Sequence, residues 1–365
     1  MSRPVFNFAA GPGIMPKAVL ASARHELLDW NGKGISMLEM PFTGDDFRNV
    51  LSSAGARLRA LLAVPDDYHI LFMHGGASAQ FSVVPLNLLG GITRANYIDS
   101  GYWSQKAIAE AQRYCSVSIA ASGRRDDYLS IPAPGSLYFD STAAYCHYTS
   151  NETANGTQFG YVPDCGGLPL VADMTSDFLT RPLDIRRYGL IYASAQKNIG
   201  PAGFTVVIVR DDLLGQARHT TPAVFNYRLQ SDANSLVNTP NTFSIYLADL
   251  VFQWLLQAGG LTAMEHKNLR QSRLLYQAIE QSEGFFHCPV KPAHRSRVNI
   301  CFTLRDESLT PLFLNEAAQH GLINLKGHAR MGGVRASLYN AMPDEGVHLL
   351  TGFMRQFCTE HAALV

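Results

Sequence analysis

The sequence predicts an α/β protein, with a mostly parallel sheet covered by helices on both faces and a smaller α/β unit at the C-terminal end. Three observations carry this reading. Between residues 68 and 140, short apolar runs alternate with helical-period runs, as parallel strands joined by crossover helices do. Two more apolar runs, 168–172 and 188–193, each lead into one charged residue, Asp173 and Lys197. A second strand–helix alternation follows Gly259-Gly260. With 365 residues, the chain has room for two domains. A boundary near residue 260 gives a large unit, 16–260, and a small one made of 1–15 and 261–365.

Residues 5–16, VFNFAAGPGIMP, are rich in Gly and Pro and read as an extended arm and turn rather than a regular element. Pro16 then opens a helix, with Val19, Leu20, Ala23, Leu27 and Leu28 at helical spacing. The stretch KGISMLEMPFTGDD reads as a strand-like segment and a turn. A second amphipathic helix covers about 46–63. Beyond it the pattern predicts a strand at 68–73, a break at Gly75-Gly76 and a helix at 80–89 bent by Pro85. A strand at 95–99, a helix at 103–114 and a strand at 137–140 follow. Residues 243–256 are almost wholly apolar, which predicts a helix buried on several sides, capped at its C-terminus by Gly259-Gly260. A longer helix at 262–282 leads to strand 297–303, helix 309–320, strand 334–339 and helix 345–361.

Composition narrows the function. Thirty basic residues balance thirty acidic ones and no long basic run occurs, which argues against nucleic acid or an anionic membrane as partner. The apolar fraction of 47% is that of a globular chain. Six cysteines are scattered without a Cys-x-x-Cys pair, the pattern of reduced thiols rather than of disulfides or zinc. The N-terminus lacks the apolar core of a signal peptide and no apolar run is long enough for a membrane span. A cytoplasmic enzyme acting on small molecules is expected.

The charged residues at the strand ends supply the chemistry. A lysine placed directly after a buried strand is desolvated and so readily loses its proton, as an imine-forming lysine must. A carboxylate delivered beside it would keep a pyridine nitrogen protonated. Together, Lys197 and Asp173 form the pair an enzyme needs to hold pyridoxal 5'-phosphate. Taken singly, Lys197 could instead snorkel from a strand end, and Asp173 could cap a helix or close a turn. His74-Gly75-Gly76-Ala77-Ser78 lies between a strand and a helix and is either a tight turn or an anion site at a helix N-terminus. Trp103, at the start of a helix, either packs or stacks on a planar ring. Asn238-Thr239-Pro240 is a polar turn that could simply cap the next helix. Arg335 is the lone charge in an apolar strand and needs an anion, whether a substrate carboxylate or an internal partner.

Over essentially its full length the chain resembles the phosphoserine aminotransferase family, class V of the fold-type I pyridoxal-phosphate enzymes. The segments that carry the resemblance are FNFAAGP, ELLDWNGKGIS, LFMHGGASAQF, YIDSGYWS, SNET, YASAQKNIGPAGFTVVIVRDDLL, the Asn238-Thr239-Pro240 turn and VRASLYNAMP. The resemblance implies a ping-pong transamination with Lys197 as Schiff-base lysine and proton shuttle. It implies that Asp173 pairs with the pyridine nitrogen, that Trp103 stacks on the ring and that Thr153 touches the ring's substituents. Ala77, Ser78 and Gln196 would hold the cofactor phosphate, joined by Asn238 and Thr239 of a partner subunit in a homodimer. Arg335 would take the α-carboxylate of an amino acid or 2-oxo acid substrate.

The resemblance breaks at two places. Where the family has a His-Arg pair before Gly, this chain has Phe42 and Thr43 before Gly44; where it has Gly-His-Arg, this chain reads Gly327-His328-Ala329, with Arg330 one place late. Those side chains are the ones the family pattern assigns to the substrate's distal anion. Either His328, Arg330 and a further residue still bind phosphoserine, or the pocket near Phe42 serves a less anionic amino acid in a specialised pathway. A lyase or decarboxylase built on the same lysine and aspartate is a third reading, and a catalytically idle relative kept for binding a partner is a fourth.

Overall fold

The computed structural model describes residues 4–361; the termini included in the 1–15 and 261–365 segments lie partly outside that range. The chain begins with a two-residue strand, β1 (Phe6–Asn7), then α1 (Lys17–Glu26) and α2 (Asp45–Leu62). The large unit continues with β2 (Tyr68–Met73), α3 (Gly76–Leu88), β3 (Arg94–Asp99), α4 (Tyr102–Ala111) and β4 (Ser116–Ser122). Next come β5 (Cys146–Thr149), the hairpin β6 (Asn151–Glu152) and β7 (Thr157–Gln158), β8 (Leu170–Asp173), β9 (Leu190–Ser194) and β10 (Thr205–Arg210). Helices α5 (Tyr227–Asp232), α6 (Thr242–Gln257) and α7 (Gly260–Glu280) precede the C-terminal elements. These are β11 (Phe286–His287), β12 (Asn299–Leu304), α8 (Thr310–Gln319), β13 (Leu322–Ile323), β14 (Val334–Ser337) and α9 (Asp344–His361).

Seven strands form one sheet in the order β2-β10-β9-β8-β5-β3-β4. All pairs are parallel except those made by β10, which runs antiparallel to both β2 and β9. Strands β8 and β9 are apolar up to their last residues, Asp173 and Ser194, because both faces are covered. On β9, Leu190 and Tyr192 enter one core cluster while Ile191 and Ala193 enter the other; Val171 and its neighbours Leu170 and Ala172 divide in the same way on β8. Helices α2 and α6 lie over one face, α3 and α4 over the other. A third cluster, rich in phenylalanine, joins Phe6 and Phe8 to Phe302, Phe313 and Phe353 around the three-stranded sheet β11-β12-β14. Helix α7 starts in the first cluster, at Leu261 and Met264, and ends in the third, at Leu275 and Ile279.

Several expected elements differ. The N-terminal arm is not wholly irregular, because β1 pairs in parallel with β13. The strand expected before Phe42 is instead a single helical turn, Met37–Glu39, fixed by a reciprocal Ser36–Glu39 capping box. Helix α3 starts four residues earlier than expected and runs on through Pro85, whose neighbours Val83, Val84 and Leu88 are all buried. Packing there outweighs the one ladder bond that proline cannot make. Residues 137–140 form no strand: the Asn96 side chain takes both the Asp140 N–H and its carbonyl, each at 3.0 Å, in place of a neighbouring strand. The strand is β5, whose sequence CHYT disguised it, and β4 and β10 were also missed. The first helix buries only Val19 and Ala23, while Leu20 and Leu28 are exposed. Helix α6 ends at Gln257 with Ala258 as its C-cap, and Gly259, at φ 95°, is the N-cap of α7 rather than closing α6.

Candidate active site

Parallel strands present their carboxyl ends on one edge of a sheet, and ligands bind there. Thr149 ends β5, Asp173 ends β8 and Ser194 ends β9. The antiparallel β10 lets the chain turn sharply after β9, with the Gly200 N–H returning to the Ala195 carbonyl at 2.9 Å. Lys197 is thereby left pointing into a cavity of about 150 Å³. The N-terminal arm closes beneath it. The Gly13 N–H donates to the Gln196 carbonyl at 2.8 Å, and a Cβ on Gly13 would stand 2.6 Å from the Tyr339 ring.

Lys197 is 9% exposed and donates to the Thr153 hydroxyl at 2.6 Å. Burial pulls its ammonium down to about 8; the Asp173 carboxylate opposes this and the Arg335 charge adds to it. A lysine near 8 supplies free amine at neutral pH. Burial pushes the Asp173 carboxyl above its usual range, against the hydrogen bonds from Thr175. Its Oδ1 accepts the Thr175 N–H at 2.9 Å, so Asp173 does close a turn, and that turn fixes its carboxylate in the cavity wall.

Helix α3 begins at this cavity with no side-chain cap, so its first N–H groups have no partner inside the helix. Gly75 and Gly76 have φ of 98° and 66°, and a Cβ on Gly75 would lie 2.4 Å from that of Ala79. Only glycine lets the backbone turn there and aim those N–H groups at an anion. The Gln196 carboxamide oxygen accepts the Ser194 hydroxyl beside them. Trp103 Nε1 and Thr149 Oγ1, both on the cavity lining, are buried without a hydrogen-bond partner among the described residues. An anion cradle, a carboxylate, a lysine and two orphan polar atoms fit a phosphorylated heteroaromatic ring with polar substituents.

Ala77, Ser78, Trp103, Thr153, Asp173, Gln196 and Lys197 all line this cavity. Arg335, half-buried on β14, sits beside it with Nη1 donating to the Thr153 carbonyl at 3.2 Å; among the described residues it has no carboxylate partner. His328 packs on Tyr102 with ring centroids 4.5 Å apart. Burial, then the charges of Arg335 and Arg330, hold its imidazole below the usual range. Arg330 is exposed, and its N–H donates to His328 Nδ1 at 3.3 Å. Asn238 and Thr239 do not line the cavity, and the Thr239 carbonyl meets His74 Nε2 at 3.0 Å. That turn does not cap α6, because the cap is Asn241, whose Oδ1 accepts the Ser244 N–H. Phe42 packs against the core under α2, and Thr43 is exposed.

Thr149, Asn151, Thr175, Ser176 and Ser194 also line the cavity and were not singled out from the sequence. Polar residues at the ends of apolar strands were the available signal.

A doubly covered sheet with a buried lysine, a carboxylate and an anion cradle at its carboxyl edge defines a fold-type I pyridoxal-phosphate enzyme of the aminotransferase kind. The chain belongs to the class-V aminotransferases, whose family model matches residues 5–350. It is 50% identical to the phosphoserine aminotransferase of Nitrosomonas europaea over 99% of this chain and 100% of that one. It is 51% identical to that of Pseudomonas aeruginosa, again over 99% and 100%. The solved phosphoserine aminotransferase of Bacillus circulans subsp. alkalophilus superposes with a TM-score of 0.96 at 42% identity, covering 98% and 99% of the two chains. The pyridoxal-phosphate-bound enzyme of Trichomonas vaginalis superposes at 0.92 and 38% identity, over 96% and 99%.

Proposed function

We propose that this chain is a phosphoserine aminotransferase, exchanging the amino group of glutamate with 3-phosphohydroxypyruvate to give phosphoserine and 2-oxoglutarate. The observation that carries the reading is identity of about half the residues, over almost all of both chains, to curated enzymes of that name. Bound pyridoxal phosphate supplies the imine carbon and the electron sink. Lys197 would hold the cofactor through its Nζ and, once released by the incoming substrate amine, would as free amine carry the proton to and from the substrate's α-carbon. Asp173 would keep the proton on the ring nitrogen and Trp103 would cover the ring face. Ala77, Ser78 and Gln196 would hold the phosphate from the α3 side, and Thr153 orients the lysine.

Arg335 grips the α-carboxylate. His328 and Arg330 are the candidates for the distal anion: the Arg330 N–H meets His328 Nδ1, and the His328 ring packs on Tyr102, next to Trp103. Phe42 and Thr43, the other substrate candidates, are not among the residues that line this cavity. A homodimer fits the position of Asn238 and Thr239 outside their own cavity, and the exposed Leu20, Leu28 and Leu38 offer apolar surface to a second copy. The division into a 16–260 unit and a unit of 1–15 with 261–365 is supported by the separate phenylalanine-rich core. A cytoplasmic enzyme agrees with six free cysteines and with no described helix being long and apolar enough to cross a membrane. A substrate panel on purified enzyme tests the proposal: turnover of phosphoserine with 2-oxoglutarate supports it, while turnover of a less anionic amino acid alone overturns it.

A further inference from the structure

Helix α4 carries Trp103 on its first turn, and that turn is not capped by the chain that precedes it. Its N–H groups are taken by the β6–β7 hairpin across the cavity edge. Tyr102 N–H donates to Asn155 Oδ1 at 3.1 Å, Trp103 N–H to Glu152 Oε2 at 2.8 Å, and Ser104 N–H to Glu152 Oε1 at 2.9 Å. Glu152 is fully buried. The approach is tight: a Cβ on Gly101 would stand 2.7 Å from Glu152 Cδ and 2.8 Å from Asn155 Oδ1. The residue after Glu152 is Thr153, the partner of Lys197. One short hairpin therefore holds both the aromatic wall and the lysine of the site.

We propose that Glu152 is a positioning residue of the cofactor site, its two carboxylate oxygens fixing the first turn of α4 and hence the height and tilt of the Trp103 indole over the cavity. The proposal rests on the reading of Trp103 as the ring-covering residue. An anionic cap at the positive end of a helix is favourable in itself, but an ordinary cap sits on the surface and affects stability alone. This one is buried beside reacting groups. Burial pushes its carboxyl up to about 7, opposed by the Ser104 and Trp103 N–H groups and assisted by the Asp173 charge, and its own charge in turn favours the ammonium of Lys197.

The test compares wild type with Glu152→Gln, which keeps size but places an N–H₂ against backbone N–H. Each protein is loaded with pyridoxal phosphate. The variant should show weaker quenching of Trp103 fluorescence, measured against Trp103→Phe, and at least a halved circular-dichroism band of the bound cofactor. Its cofactor Kd should rise about fivefold to tenfold, the equivalent of losing one cap. The pH midpoint of the cofactor absorbance should fall, since a negative charge near Lys197 is gone. A lower melting temperature with all four cofactor signals unchanged would show a purely structural cap and overturn the proposal.

If Glu152→Gln does not fold, Gly101→Ala displaces the carboxylate without removing it and should give the same changes in quenching, circular dichroism and cofactor Kd, with a smaller shift of the pH midpoint because the charge remains; unchanged quenching, circular dichroism and Kd again overturn it. Hydrogen exchange on wild type needs no variant. Cofactor addition should slow exchange of the Trp103 and Ser104 amides, and no slowing counts against the proposal. Failure of wild type to bind pyridoxal phosphate would instead strike the cofactor reading itself.

Discussion

Lys197 Nζ donates a 2.6 Å hydrogen bond to the Thr153 hydroxyl, while the Thr153 carbonyl accepts Arg335 Nη1 at 3.2 Å. A single residue thus sits between the group that reacts and the group proposed to hold substrate. The two cations on either side of Thr153 raise each other's energy, which is one cause, after burial, of the lowered Lys197 value. The site lowers the cost of deprotonating the lysine before any ligand is considered, so that free amine is accessible near pH 8.

Burying that ammonium costs stability in the cofactor-free protein. The Lys197 ammonium sits at about 8 in the folded chain against 10.5 for a free side chain. Between those values the unfolded chain binds the extra proton, so this group's contribution to stability rises with pH across the window. Below about pH 8 the full penalty is present, roughly 3 kcal/mol. Lys197→Met should abolish the visible absorbance of bound cofactor. Its cofactor-free form should also be more stable than wild type at pH 7, with the gap narrowing towards pH 10. Urea unfolding at both pH values measures this, and a gap that widens with pH contradicts it.

Asp173→Asn keeps an oxygen for the Thr175 N–H and so should preserve the turn, but it removes the charge. Transamination should fall by roughly 10²–10³-fold with little change in melting temperature. Because Asp173 raises the lysine's value, the pH midpoint of the cofactor absorbance should also move down. Spectral titration and steady-state rates separate these effects.

Arg335→Lys replaces a two-pronged donor by a point charge. KM for the amino acid should rise about 10–100-fold, the cost of one charge-assisted hydrogen bond, with kcat changed less. A fall in kcat at constant KM would remove Arg335 from carboxylate binding.

Much of this site was legible because its key residues follow directly on apolar strands. Asp173 and Lys197 were found at the ends of 168–172 and 188–193, and the strands lie at Leu170–Asp173 and Leu190–Ser194. Arg335 stood out as a charge in an apolar strand. The strand Cys146–Thr149 did not, because His147 and Thr149 are polar by type yet buried in the sheet. Glu152 was also invisible. Its partners are backbone N–H groups about 50 residues away in sequence, and no local pattern encodes a cap supplied from another element. The strand expected at 137–140 failed for a related reason, a side chain from Asn96 standing in for a strand neighbour.

His147 makes a separate prediction about acid. It is buried, stacked on Tyr97 at 4.7 Å, with Nε2 at 2.9 Å from the Tyr192 hydroxyl, and burial holds it down to about 3 from 6.5. The unfolded chain therefore takes up a proton between pH 6.5 and 3 that the folded chain refuses, and stability falls as pH drops through that window. The loss at the acid end is roughly 5 kcal/mol. His147→Gln should flatten this part of the stability–pH curve, read by chemical denaturation at pH 7, 5 and 4. A curve as steep as wild type's would place the acid sensitivity elsewhere.

The central claim is tested most directly by adding phosphoserine, without an acceptor, to the purified pyridoxal-phosphate enzyme and following the cofactor spectrum in single turnover. The prediction is conversion to the pyridoxamine form with release of 3-phosphohydroxypyruvate, and restoration of the original spectrum by 2-oxoglutarate. A spectrum that phosphoserine leaves unchanged, while another amino acid converts it, would contradict the claim. That outcome would move the explanation to Phe42, Thr43 and Ala329, where this chain departs from the family's pattern.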